Sequence, residues 1–316
     1  MEQAICKDIK ISVSTGTLQE IYGEKEALKI AKKAGADGVD FNLWSRAYDY
    51  KNPDSIYAKS DAEIYDYFKN IKDFADEIGI EIFMTHGQGT GYINDEIIDN
   101  NLIENVRRDC IATGALGAEY CVLHTAGNYH LPPETPADLM HLFNKELFEK
   151  GGVFAKAHNI KLVTETFGSS SRYGCIDFFG DYKNFENGLN NIKKVYPEIS
   201  VCVDTGHTNL TKQFNQPSVD EVIRKLGKNI TCLHLHDNSG FKDEHKVLGS
   251  GNIDWEKVFT ALNEIDYKGV FNLEIVLTHY GEDFIFEELC YGIKTLKQLL
   301  KNHYKKTTEY EVNPKV

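Results

Sequence analysis

The feature that most constrains this sequence is an alternation. Eight short β-rich runs stand out: IKISVS (9–14), GVDFN (38–42), EIFMTH (81–86), YCVLHT (120–125), KLVTET (161–166), ISVCVD (199–204), TCLHLH (231–236) and FNLEIV (271–276). Helical patterning fills the intervals near 18–34, 61–78, 95–116, 138–158, 184–195, 217–226 and 255–265, with a last stretch near 282–302. In IYDYFKNIKDFADEI (64–78) the apolar positions recur at i, i+3, i+4 and i+7, the period of a helix with one buried face. Eight β–α units without an intervening linker predict an α/β fold of the (β/α)8 TIM-barrel type. An open doubly wound sheet is the competitor, but it normally carries a Gly-rich phosphate loop after its first strand. Here that strand runs into STGTLQEIYGEK, which has no GxGxxG. We therefore expect residues 1–302 to form one barrel domain and 303–316 a solvated or loosely docked tail.

With 316 residues, 41% hydrophobic and 26% charged, the chain has the composition of a globular protein with a sizeable core. Its net charge of −13, from 48 acids against 35 bases, argues against the basic footprint of a nucleic-acid binder. The seven cysteines form no CxxC pair, and Cys121, Cys202 and Cys232 lie inside apolar runs where a buried, inert thiol is expected. The opening MEQAICKDIKISV lacks a basic region followed by an apolar one, and no apolar run reaches bilayer length. A cytoplasmic protein that does not enter a membrane is the expectation.

In a (β/α)8 barrel the chemistry collects at the C-terminal mouth, where strands end and loops follow. Those ends supply His86, His124, Glu165, Asp204 with His207, His234 with His236, and Glu274. Six of the eight strands thus finish on a residue able to bind a metal or carry a proton. A lone carboxylate buried in VTET or NLEI is costly, whereas one cation satisfies several together. Two Glu, one Asp and one His make an oxygen-rich set suited to Mn²⁺ or Mg²⁺, with Co²⁺ or Zn²⁺ as alternatives. No thiolates are placed for a closed structural zinc site. His234 and His236 share strand parity, so both are candidates to face the interior. Asp243 and His245 follow in the next loop, while Asp254 reads as the cap of a helix.

Two loops bear on substrate. Loop 42–60, NLWSRAYDYKNPDSIYAKS, is long for a βα connection and carries Trp44, Tyr48, Tyr50 and Tyr57, which either stack on a substrate ring or cover the barrel rim. Loop 167–182 holds Arg172, either an anion-binding group or an ordinary surface ion pair.

Together THG (85–87), VLHTAG (122–127), TET (164–166), CVDTGH (202–207), HLHD (234–237), HKVLGSGNIDW (245–255) and LEI (273–275) resemble the sugar phosphate isomerase/epimerase family. That family has a xylose-isomerase-like TIM barrel, in a superfamily that includes endonuclease IV. The resemblance covers roughly residues 9–300. It implies a divalent metal, Mn²⁺ first, bound by Glu165, Asp204, His234 and Glu274; His234 is chosen over His236 because Asp237 follows it three positions on. It implies sugar isomerisation or epimerisation by proton transfer through a metal-bound enediolate, with Glu165 and Glu274 as the acid/base pair. His207, contacting substrate or a second metal, is a further implication, and His86, His124, His236, His245, Trp44 and Arg172 are the remaining candidates for substrate binding. A small carbohydrate substrate and a homo-oligomer also follow from it. A dehydratase, another lyase or a carbon-glycoside-cleaving enzyme on the same centre is the alternative. The best-known ketohexose 3-epimerases carry a Glu where Ser171 stands here and an Arg near Gly240, so that narrower label is not carried over.

The endonuclease branch uses nine ligands around three metals. Its counterparts here are His86, His124, Glu165, Asp204, His207, His234, Asp243, His245 and Glu274. Against a phosphoester hydrolase acting on DNA stand the net charge and the few cations of the mouth loops: Arg46, Lys51, Lys59, Arg172 and the adjacent Lys183.

Overall fold

A computed structural model of the chain describes residues 9–312 apart from 89–91 and 129, with side chains through 305. Cys6 and the last four residues of the expected tail lie outside the described residues.

The strands are β1 (Ile11–Ser14), β2 (Gly38–Asn42), β3 (Glu81–His86), β4 (Tyr120–Leu123), β5 (Lys161–Glu165), the short hairpin β6 (Ser169–Ser170) and β7 (Cys175–Ile176), then β8 (Ser200–Asp204), β9 (Ile230–Leu235) and β10 (Phe271–Leu273). All but the hairpin pair in parallel and close into a barrel in the order β1-β10-β9-β8-β5-β4-β3-β2. The alternation in the sequence therefore produces the expected (β/α)8 fold. Several strands stop one to three residues before the expected end, which leaves His124, His236 and Glu274 beyond their strands rather than within them.

Inside the barrel, Met84, Val122, Val163, Cys202 and Cys232 form a small apolar layer beneath the mouth. A larger apolar shell joins the outer faces of the strands to the surrounding helices. Burial pushes the thiols of Cys121 and Cys232 up to about 12, in keeping with inert packing groups.

The helices follow their local signals. Asp61–Ile78 begins with a Ser60/Glu63 capping box and stops at Gly79, while Trp255–Glu264 is capped by Asp254, whose carboxylate accepts from Lys257 N at 3.2 Å. The expected single helix at 18–34 is two, Gly16–Tyr22 and Glu24–Ala34, because Gly23 has φ 77° and interrupts the helical path. The final helix, Ile285–Val312, runs across the 302/303 boundary expected for the tail. His303 is buried there, 2.8 Å from Asn263 Nδ2 and 2.9 Å from Glu256 Oε1. Among the described residues no helix is long and apolar enough to cross a membrane.

Candidate metal centre

β5 ends on Glu165 and β8 on Asp204, His234 lies within β9, and Glu274 is the first residue after β10. Parallel pairing sets Asp204 beside His234. One donor atom from each of Glu165, Asp204, His234 and Glu274 lies within 4.8 Å of the others. His234 Nδ1 is 3.4 Å from Glu165 Oε2 and 3.4 Å from Glu274 Oε2, so the imidazole stands between the two carboxylates.

Among the described residues four further groups share this spacing. Two of them, His86/His234/Glu274 and His236/His245/Glu274, meet the central one at Glu274, and the other two are trios on either side. His86 Nε2 and His124 Nε2 approach Glu165 Oε2 at 3.3 and 3.1 Å. On the other side Asp243 Oδ2 is 3.3 Å from His207 Nε2 and 3.2 Å from His245 Nε2. Both trios have the spacing of a metal site, and Glu165 belongs to the first as well as to the central group. Loop and strand geometry explains the placement of His207. After Asp204 the chain enters a short helix, Thr205–Leu210, whose third N–H is capped by Asp204 Oδ1 (His207 N, 2.6 Å), bringing His207 back over the mouth. His207 Nδ1 is then 3.2 Å from Glu165 Oε1.

The electrostatics are those of carboxylates packed among imidazoles. Burial works to raise Glu165, but the neighbouring His234 and His124 outweigh it and hold the carboxyl well below its usual range. Burial pushes Glu274 up to about 8, with Glu165 and Asp204 adding to the push against the opposing pull of His234 and His245. Burial lowers His86 and His236.

The donor set fits a divalent cation. Glu165 Oε1, both ring nitrogens of His234 and His124 Nε2 are buried without a well-formed hydrogen bond, a cost of about 1–3 kcal/mol per group when nothing compensates it. A cation amid one imidazole and three carboxylates relieves this cost at Glu165 Oε1 and His234 Nδ1, together with the mutual repulsion of the carboxylates. The cluster can therefore hold a divalent metal ion, and its mixture of imidazole and carboxylate donors suits Mn²⁺, Mg²⁺, Co²⁺ or Zn²⁺.

The other expected site residues divide. His236 lies outside the central group but keeps a ring nitrogen within 4.8 Å of Glu274 and of His245: its Nε2 meets Asp204, and its ring stacks on that of His245 at 3.8 Å. Of the aromatics of loop 42–60, Trp44 overlooks the cluster, with its ring 5.9 Å from His86 and 5.4 Å from His124 and 46% of its surface exposed. Tyr48 and Tyr57 are buried in the core, and Tyr50 donates its hydroxyl to Asn101 Oδ1. Arg172 lies exposed between β6 and β7 with its guanidinium over Tyr173.

Sequence reasoning passed over Asp40, in the middle of β2. It is fully buried, and its Oδ2 lies 3.4 Å from His234 Nε2. The available signal was an acid inside GVDFN, the same kind of signal that drew attention to VTET and NLEI.

A cavity of about 610 Å³ opens at the opposite end of the barrel, among the strand starts Glu81, Tyr120 and Ile230. No histidine lines it, and that face of such barrels serves stability rather than chemistry. The donors at the C-terminal mouth make that end the candidate site.

Known proteins of this shape include a D-tagatose 3-epimerase-like protein, whose crystal structure is 20% identical, with TM-score 0.72 over 95% of this chain and 100% of that one. An L-ribulose 3-epimerase is 15% identical, with TM-score 0.69 over 95% and 97%. An uncharacterized protein of Methanocaldococcus jannaschii is 37% identical over 76 residues, 24% of this chain and 25% of that one. The chain thus matches about a quarter of that relative's length. The sequence model of the xylose isomerase-like TIM barrel family covers residues 28–289, most of the chain, and the chain belongs to that family.

Proposed function

We propose that this protein is a divalent-metal-dependent isomerase or epimerase of a sugar or sugar derivative, with Mn²⁺ as the preferred ion. The observation that carries this reading is the meeting of Glu165, Asp204, His234 and Glu274 within 4.8 Å at the barrel mouth. When bound, the ion supplies Lewis acidity that eases loss of a proton from carbon next to a carbonyl. Glu165 and Glu274 reach in from β5 and from the end of β10, with β8 and β9 between them. Their environments push them apart: the imidazoles around Glu165 keep it ionised, while burial favours the protonated form of Glu274. In this reading Glu165 accepts the substrate proton and Glu274 returns one from the other side. His207 holds a substrate oxygen, and Trp44 offers an apolar face to a sugar ring beside His86 and His124.

The names of the similar structures, a D-tagatose 3-epimerase-like protein and an L-ribulose 3-epimerase, support carbohydrate chemistry. Ser171 stands where the best-known ketohexose 3-epimerases carry Glu, and Gly240 lies near the position of their Arg, so the substrate proposed here is a sugar derivative as readily as a free ketose. A lyase that starts with the same proton removal uses the same residues.

A phosphoester hydrolase is the second reading. It is favoured by one observation, the two trios His86/His124/Glu165 and His207/Asp243/His245 on either side of the central group. The net charge of −13 weighs against a DNA substrate.

The deciding experiment incubates metal-reconstituted protein in D₂O with ketoses, inososes and sugar phosphates. The expected result is deuterium incorporated at a carbon next to the carbonyl. No exchange on any of them, together with incision of abasic DNA, sinks the proposal in favour of the second reading.

A further inference from the structure

We infer that Asp40 is a positioning residue for His234. It fixes the imidazole in the tautomer with its proton on Nε2, so that Nδ1 presents a lone pair to the space between Glu165 and Glu274. This rests on the reading of His234 as a metal ligand.

The His234 ring has a carboxylate at each end. Nδ1 lies 3.4 Å from Glu165 and 3.4 Å from Glu274, and Nε2 lies 3.4 Å from Asp40 Oδ2. Both His234 and Asp40 are fully buried. A neutral imidazole has one N–H and one lone pair, so the partner of Nε2 decides what Nδ1 can do.

Asp40 is held to the role of acceptor by a chain of hydrogen bonds with one polarity. Ser12 Oγ donates to Asn272 Oδ1 at 2.8 Å, which turns the Asn272 amide nitrogen the other way. That nitrogen donates to Ser14 Oγ at 2.9 Å and lies 3.4 Å from Asp40 Oδ2. Ser14 Oγ in turn donates to Asp40 Oδ2 at 2.8 Å. The register of the barrel sets these groups in adjacent strands: Ser12 is opposite Asn272, Asn272 opposite His234, and Ser14 opposite Asp40. Everything reaching Asp40 from β1 and β10 is a donor. Among the described residues Asp40 Oδ1 is buried without a hydrogen-bond partner, so the carboxylate as a whole has acceptor capacity to spare. His234 Nε2, 3.4 Å from Asp40 Oδ2, satisfies this carboxylate only when it carries the proton. Three buried polar residues, Ser12, Asp40 and Asn272, together with the half-buried Ser14, are more than packing needs on these three strands, since apolar side chains fill such a layer elsewhere in this barrel. A carboxylate on the far nitrogen of a ligating histidine is also a general means of orienting the ring and raising its basicity.

The test uses the full-length protein and three measurements. Titration of metal-free protein with Co²⁺, followed by its visible absorption, is expected to show affinity 10- to 100-fold weaker in Asp40→Asn than in wild type. Selective ¹⁵N-histidine labelling with long-range ¹H–¹⁵N spectra of the Zn²⁺-loaded protein is expected to place the His234 proton on Nε2 in wild type and to alter its nitrogen shifts in the variant. Ser14→Ala, which removes one donor and keeps the carboxylate, is expected to weaken Co²⁺ binding less than Asp40→Asn. Asp40→Asn within twofold of wild type for Co²⁺, or a wild-type His234 protonated on Nδ1, overturns the inference. The second result needs no variant to fold. A wild type that binds Co²⁺ with the expected tautomer but exchanges no sugar proton sinks the proposed reaction and leaves the role of Asp40 standing.

Discussion

His236 Nε2 lies 3.0 Å from Asp204 Oδ1 and 3.1 Å from Asp204 Oδ2, so the second histidine of HLH grips a carboxylate of the cluster. The contact depends on Gly206. A Cβ at that position falls 1.9 Å from His236 Cε1 and 2.4 Å from its Nδ1. The ring has nowhere to retreat, because its other face is stacked on His245. Gly206 is thus a glycine required by close approach. Gly206→Ala is expected to destabilise the fold by about 1–3 kcal/mol through overpacking. It is also expected to weaken Co²⁺ binding by roughly tenfold or more, since Asp204 loses its orienting partner. Denaturant midpoints and Co²⁺ titration check the two effects; wild-type values in both remove the role assigned to this contact.

Glu165→Gln and Glu274→Gln keep side-chain shape and remove the proton-transfer group. At saturating Mn²⁺, with metal content measured in parallel, each is expected to lower deuterium wash-in by about 10²- to 10⁴-fold. A fully metallated Glu274→Gln protein that exchanges at the wild-type rate rules out Glu274 as acid or base.

Much of this geometry was legible in the residues because burying a carboxylate is expensive. Glu165 and Glu274 sit in apolar runs with no surface to explain them, and the barrel brings both to one mouth. Asp40 carried the same signal but lies within its strand rather than at its end, and only the closed barrel brings β2 within reach of β9 across its interior. The aromatics of loop 42–60 were harder to place. Tyr57 reaches into the core, where its hydroxyl donates to Asp109 Oδ1 at 2.7 Å, and Trp44 stays at the mouth, yet nothing local distinguishes a tyrosine that anchors a loop from one that meets a ligand. The direction of His236 was equally hidden. Strand parity predicts the same face for His234 and His236, but β9 ends at Leu235 and frees His236 to turn toward Asp204.

Metal removal is expected to cost stability, because a cation held by the folded cluster has no equivalent site in the unfolded chain. Ligand at about 100 times its Kd contributes roughly 2.7 kcal/mol. For a domain of this size that corresponds to a rise in Tm on the order of 4 °C. Thermal scans of chelated protein, with and without added Mn²⁺, measure it. The response is expected to vanish in Asp204→Asn. An identical Tm shift in that variant shows that the stabilising ion sits elsewhere.

The last expectation concerns pH and lies away from the cluster. Asp109 is fully buried, accepting from Tyr57 Oη at 2.7 Å and from Gln88 N at 3.0 Å, and burial pushes its carboxyl up to about 7. In the unfolded chain an aspartate titrates near 4, so between about pH 4 and 7 the folded state holds a proton that the unfolded state has lost. Stability from this group is therefore greatest at the acidic end of the window and falls as pH rises through it, by on the order of a few kcal/mol. Asp109→Asn has no such proton to lose. Removing the carboxyl costs the variant part of the network that ties Tyr57 and Gln88 together, so it is expected to be less stable than wild type at pH 4.5. The gap is expected to narrow steadily toward pH 7.5, and urea midpoints of metal-free wild type and variant across that range measure it. A gap that stays constant with pH means that Asp109 titrates alike in the folded and unfolded chains, and a gap that widens reverses the sign argued here.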